Sequence, residues 1–210
     1  PDVDRLVFVD EKGQFFGEEY TLVACADYIL GKTSGATVSN MSSTRALSDV
    51  TLIHAGHYSA SAVGEVNVVT EMKAVNAVIG GEGNGGVIYP PLHYGRDALV
   101  GVVFFLSLLV ERKVSVSKLR AGYPNYFMSK NKIILNEGID VNGVLNKMAK
   151  RYVSEKISII DGVKIDFEKE WVHLRKSNTE PIIRVYAEAM SAEKAAELAQ
   201  RFVLEINSLL

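Results

Sequence analysis

The sequence predicts an α/β domain followed by an α+β domain whose mostly antiparallel sheet is flanked by helices. Three observations carry this. Up to about Val116, short apolar runs alternate with segments of helical period, the pattern of a sheet wound with helices. Beyond it, strand-like runs follow one another around a strong hairpin signal, Asp161-Gly162. An apolar stripe at helical spacing then closes the chain: Ala195, Leu198, Phe202, Ile206 and Leu209.

In chain order, Leu6–Val9 reads as a strand with Asp10–Gly13 as its turn. A helix is expected over Glu18–Leu30 and a short strand over Ala36–Ser39. Thr44–Ile53 is expected to be helical, because Ala46, Leu47 and Val50 fall on one face. Helix 66–75 and the buried strand 77–79 lead into a glycine-rich loop over 80–86. Val87-Ile88-Tyr89 and the break Pro90-Pro91 follow, and Asp97 is placed to cap the next helix. In the second domain, Ile133-Ile134-Leu135 is a strand. Asp140 caps a helix with Val141, Val144, Leu145, Met148 and Tyr152 on one stripe. Strands over 157–160 and 163–167 flank the hairpin signal, and two more are expected over 171–174 and 182–187.

Composition narrows the function classes. A 210-residue chain that is 48% hydrophobic can bury a real core. Its net charge of −2 argues against a nucleic-acid partner, which would leave a basic excess. Cys25 is the only cysteine, so no intramolecular disulfide forms, and a cytoplasmic setting is expected. The acidic start is not expected to act as a signal peptide. The longest apolar run, Ala98–Val110, is too short to span a bilayer and is expected to be a buried helix. The oligomeric state is not legible.

Three motifs carry chemistry. Arg175-Lys176-Ser177-Asn178-Thr179-Glu180-Pro181-Ile182-Ile183-Arg184 lies between two expected strands. A tight turn there aims backbone N–H groups into one concavity, and guanidinium forks match phosphate oxygens. A polar hairpin with solvated arginines is the alternative. Gly80-Gly81-Glu82-Gly83-Asn84-Gly85-Gly86 formally contains G-x-G-x-x-G, but no helix follows to receive a pyrophosphate, so a nucleotide site is rejected. Glu82 and Asn84 suit sugar hydroxyls; a plain glycine-rich turn is the competing reading. Asp2 and Asp4 alternate in Asp2-Val3-Asp4-Arg5, a spacing that suits Mg²⁺, or simply an acidic chain end. Gly31-Lys32-Thr33 lacks the upstream glycine of a phosphate loop, and His54 with His57 lacks further metal ligands.

Together and in this order, the motifs resemble the α-D-phosphohexomutase family of phosphoglucomutase, phosphomannomutase and phosphoglucosamine mutase. The segment from Arg175 to Arg184 resembles its phosphate loop, the segment from Gly81 to Gly85 its sugar loop, and Pro1–Arg5 a metal loop lacking its first aspartate. The resemblance implies a C-terminal half: residues 1–14 as the tail of a second domain, 15–116 as a third α/β domain, and 117–210 as the C-terminal α+β domain. It implies interconversion of hexose 1-phosphate and hexose 6-phosphate through a phosphoserine and a hexose 1,6-bisphosphate, with Mg²⁺. Arg175, Ser177, Asn178, Thr179 and Arg184 would hold phosphate, Glu82 and Asn84 the sugar, and Asp2 and Asp4 the metal. The phosphorylated serine belongs to the family's first domain, so this chain alone is expected to be inactive. Arg5, Arg45 and His93 are further cleft residues to test. The chain departs from the family at Gly86, where a histidine is common, and at Ala62, where a basic residue is frequent. A non-enzymatic phosphosugar-binding module is the competing class.

Overall fold

The computed structural model describes residues 3–136, 138–177 and 179–210 and divides the chain into two units, 1–124 and 125–210. The expected sheet types are found in both.

The first unit contains α1 (Glu18–Leu30), β1 (Ala36–Asn40), α2 (Ala46–Ile53), β2 (His57–Ser61), α3 (Glu65–Ala74), β3 (Ala77–Glu82), β4 (Gly86–Ile88), α4 (Ala98–Arg112) and α5 (Val116–Ala121). Its sheet runs β2-β1-β3-β4, parallel except for the β3–β4 hairpin. Helices cover both faces. A side chain at Gly80 would strike Met72 of α3, and one at Gly81 would approach Leu22 of α1. Neighbouring residues of a strand point to opposite faces, so α1 and α3 lie on opposite sides.

Several expectations change here. The expected strand 6–9 is reduced to a single bridge between Val9 and Phe15, because Val7 and Val9 point to solvent and offer a sheet nothing to bury. The glycine-rich loop is instead the β3–β4 hairpin, in which Gly81 pairs with Val87 and Glu82 with Gly86. The helix over Ala98–Arg112 is not buried all round: Leu99, Val103, Leu106 and Val110 form an exposed stripe. The expected break at residue 116 moves to Pro124, because α5 and the turn after it are tied to the first unit. Arg120 donates to the Phe16 carbonyl at 3.1 Å and lies over the Tyr20 ring. The Tyr123 hydroxyl donates to Asp27 Oδ2 at 2.7 Å. Residues 3–14 likewise pack on this unit, with Phe8 stacked on Phe105.

Asp27 is a buried junction. Besides Tyr123 it meets His54 Nε2 at 2.8 Å and Arg112 at 2.7 Å, so His54 is a structural partner. Burial, reinforced by the Asp27 charge, pushes the Tyr123 hydroxyl far above its usual range.

The second unit contains β5 (Phe127–Ile134), α6 (Val141–Arg151), β6 (Lys156–Ser158), β7 (Val163–Asp166), β8 (Trp171–Lys176), β9 (Ile182–Ala189) and α7 (Ala192–Asn207). The sheet is antiparallel throughout, in the order β5-β9-β8-β7-β6. Asp140 caps α6 by accepting from the Gly143 N–H at 3.0 Å, and Ser191 caps α7 by accepting from Lys194. Both helices press apolar stripes onto one face of the sheet, where Leu174, Ile183, Val185 and Phe202 are buried. Gly162 has φ +74°, which the tight β6–β7 turn requires. Among the described residues, no helix is long and apolar enough to cross a membrane.

Candidate functional site

In the first unit, the tip of the β3–β4 hairpin holds Glu82 and Asn84. Glu82 is 6% exposed and ends β3. Its Oε1 accepts from Asn40 Nδ2 at 3.1 Å, and its Oε2 from Arg96 at 3.2 Å and Asn84 Nδ2 at 3.4 Å. A carboxylate offers about four acceptor positions, so one is left, and the long Asn84 bond is the easiest to exchange. Asn40 is fixed in turn: its Oδ1 accepts from the Ser42 N–H and the Ser43 hydroxyl. Ser43 Oγ accepts from the Gly83 N–H at 3.0 Å, which joins the β1–α2 turn to the hairpin tip.

The tip needs its glycines. A Cβ at Gly83 would overlap the Glu19 carboxylate, which accepts from the Thr44 N–H at 2.9 Å. Gly85 has φ +85°, and a Cβ there would strike the Leu6 carbonyl. The Leu6 N–H donates to the Gly85 carbonyl at 3.0 Å, and Thr21 Oγ1 donates to the Leu6 carbonyl at 2.9 Å. The segment before Leu6 is therefore moored behind the hairpin.

That mooring brings Asp4 to the same place, where it forms an ion pair with Arg96. Arg5 is exposed. Arg45 is half-buried just before α2, next to Thr44. Asp2 lies outside the described residues. Among the described residues, no group of three His, Cys, Asp or Glu is arranged to hold a metal ion. The Asp4 carboxylate is instead committed to Arg96.

His93 Nε2 lies 3.0 Å from Asp97 Oδ2, and half of its side chain is exposed. The Asp97 carboxyl, held below its usual range chiefly by the Val100 N–H, is the α4 cap. The basic group at Glu82 is Arg96. Sequence reasoning missed it, because its carboxylate partners lie far away along the chain.

In the second unit, Arg175 and Arg184 face each other across the β8–β9 ladder, and the turn between them is closed by the Ser177 N–H donating to the Ile182 carbonyl at 3.0 Å. Ser177 is buried, and its Oγ lies 3.4 Å from the Thr179 N–H and 3.5 Å from the Thr179 hydroxyl. Arg184 meets Glu180 at 3.2 Å, and Arg175 meets Asp161 at 3.8 Å. Asn178 lies outside the described residues. On the other side of Arg184, β5 contributes Lys132, directly opposite it. Residues 183 and 185 point into the core, so Lys132, Arg184 and Arg175 line the opposite face in one row. Lys132 was also missed; its signal is the alternation Lys130-Asn131-Lys132 along a strand.

His173 lies on that face, and its Nε2 donates to the Asp161 carbonyl at 2.6 Å. Burial is the main cause that lowers its pKa to about 4, so the ring is neutral near pH 7.

Comparison with known proteins agrees with both units. Residues 17–126 match the family description phosphoglucomutase/phosphomannomutase, alpha/beta/alpha domain III, and residues 130–205 match the C-terminal domain of the same family. A phosphoglucomutase/phosphomannomutase of Thermococcus kodakarensis is 35% identical, with 93% of this chain and 43% of the relative covered. A probable phosphoglucosamine mutase of Methanopyrus kandleri is 31% identical over 96% of this chain and 45% of its own length. This chain thus spans about half the length of these curated relatives. An X-ray structure of a phosphoglucomutase/phosphomannomutase family protein from Burkholderia thailandensis shares the fold with a TM-score of 0.81 and 24% identity, covering 99% of this chain and 45% of the other. A complex of Aspergillus fumigatus N-acetylphosphoglucosamine mutase with GlcNAc-6P and magnesium superposes with a TM-score of 0.68 at 15% identity, over 99% of this chain and 50% of the other.

Proposed function

The chain belongs to the phosphoglucomutase/phosphomannomutase family, and we propose that the whole protein interconverts hexose 1-phosphate and hexose 6-phosphate. The observation that carries this is the pair of arginines opposed at the mouth of the Ser177–Pro181 turn. Like charges directly opposite on a sheet cost stability, so such a pair is best explained by an anion that joins them.

In this reading Arg175, Ser177, Asn178, Thr179 and Arg184 grip the phosphate that is not reacting. Glu82 and Asn84 take ring hydroxyls, with a sugar hydroxyl replacing the 3.4 Å bond from Asn84. A phosphoserine elsewhere in the protein transfers its phosphoryl group: the P–O bond to serine breaks as one to the sugar oxygen forms. The resulting hexose 1,6-bisphosphate turns over and returns its other phosphoryl group to the serine. The residues of this chain supply orientation and charge in both poses.

Magnesium belongs to the same proposal, on Asp2 and Asp4. The described residues alone do not fit it, because Asp4 is taken by Arg96. The test is turnover of glucose, mannose and glucosamine 1-phosphates by the full-length protein. Conversion of at least one is expected. Tight binding without conversion would favour the non-enzymatic phosphosugar-binding module, and neither binding nor conversion would end the proposal.

A further inference from the structure

We propose that Arg96 is a positioning residue that fixes the Glu82 carboxylate and couples it to the Asp4 segment. This rests on the reading of Glu82 as a sugar ligand. The three guanidinium nitrogens meet three carboxylates from separate segments: Nη2 meets Asp4, Nε meets Glu65 at 3.1 Å, and Nη1 meets Glu82 at 3.2 Å. The arginine is itself held from behind. Its N–H donates to Glu65 Oε1 at 3.0 Å, and its backbone bridges to Ile88 of β4.

Only a guanidinium does this. A lysine ammonium is a compact charge that cannot present three nitrogens in one plane. With Asn40 on one oxygen and Arg96 on the other, the Glu82 carboxylate is held in one orientation. Without Arg96, Glu82, Glu65 and Asp4 would share a poorly solvated place as like charges.

Gly86 is part of the same device. A Cβ at that position would lie 2.5 Å from Arg96 Cδ and 3.1 Å from Asn84 Oδ1. The missing side chain makes room for the arginine stem. The backbone of Gly86 is not in the left-handed region, so alanine there tests the contact rather than the turn.

The experiment is a double-mutant cycle in the full-length protein. Arg96→Lys, Gly86→Ala, Glu82→Gln and the double variant Arg96→Lys/Glu82→Gln are assayed for kcat and KM on the preferred hexose 1-phosphate, with thermal melting as a folding check. Arg96→Lys and Gly86→Ala should each lower kcat/KM about tenfold or more, and Arg96→Lys should cost under about twofold once Glu82 is glutamine. Losses that multiply, or an Arg96→Lys enzyme within about twofold of wild type, would overturn the proposal. If Arg96→Lys does not fold, Gly86→Ala, alone and combined with Glu82→Gln, decides in the same way. Wild-type turnover by Glu82→Gln would instead remove the sugar-loop reading, and this proposal with it.

Discussion

Arg175 of β8 and Arg184 of β9 are direct cross-strand partners, Arg175 meeting Asp161 at 3.8 Å and Arg184 meeting Glu180 at 3.2 Å. Lys132 extends the row. On the proposed reading, an anion would join the members of this row.

Removing one arm of the pair should therefore weaken phosphosugar binding. A charge-assisted hydrogen bond is worth roughly 1.5–3 kcal/mol, or about tenfold to a hundredfold in affinity. Arg184→Ala in the full-length protein should lose that much for a hexose 6-phosphate by titration calorimetry. Ser177→Ala should lose less, since it removes a neutral hydroxyl. Wild-type affinity in Arg184→Ala would take the loop out of the site.

The buried His173 makes stability depend on pH. Its pKa is lowered to about 4 in the folded state, against 6.5 for the ordinary group. Between these values the unfolded chain binds a proton that the folded chain refuses, so stability falls as the solution is acidified. The contribution is complete above pH 6.5 and is lost progressively down to about 4, with an upper size of about 3 kcal/mol. Urea titrations at pH 7.5 and 4.5 should show this loss, and His173→Gln should remove that part of the slope. An unchanged pH dependence in the variant would mean that other groups cause it.

Tyr123→Phe tests the Asp27 junction. It removes the 2.7 Å bond and leaves Asp27 with His54 and Arg112, so a destabilisation of about 1–2 kcal/mol is expected. The urea midpoint should fall with an unchanged slope. No shift would show that water replaces the hydroxyl at no cost.

The 210-residue chain on its own should not interconvert glucose 1-phosphate and glucose 6-phosphate, even with glucose 1,6-bisphosphate and magnesium present. Turnover above that of a Glu82→Ala control would place the nucleophile among these residues.

Much of the fold was legible. Asp97 and Asp140 announced the starts of α4 and α6, and Asp161-Gly162 announced the turn between β6 and β7. Strand β2 was not, because His57–Ser61 sets just Tyr58 and Ala60 against three polar residues, a weak alternation that suits an edge strand beside β1. The Glu82 hairpin was read as a loop because glycine has poor strand propensity, whereas here backbone pairing across β3 and β4 decides the structure. Of the candidate site, the phosphate turn and Glu82 could be named from the family resemblance of their motifs, not from spacing alone. Arg96 could not, since what makes it important is the convergence of Asp4, Glu65 and Glu82 in space.

The mooring of Leu6 to Gly85 runs through main-chain atoms, and so does the Leu6 carbonyl that Thr21 engages. It therefore sets different rules for different kinds of genetic change. Substitutions at the exposed Arg5 or Val7 leave the backbone path as it is and should be tolerated by the hairpin. A one-residue insertion or deletion between Asp4 and Leu6 changes no side chain of the hairpin, yet it shifts either Asp4 or the Leu6 anchor out of register. Lineages of this gene should accordingly drift in the spelling of this stretch while keeping its length.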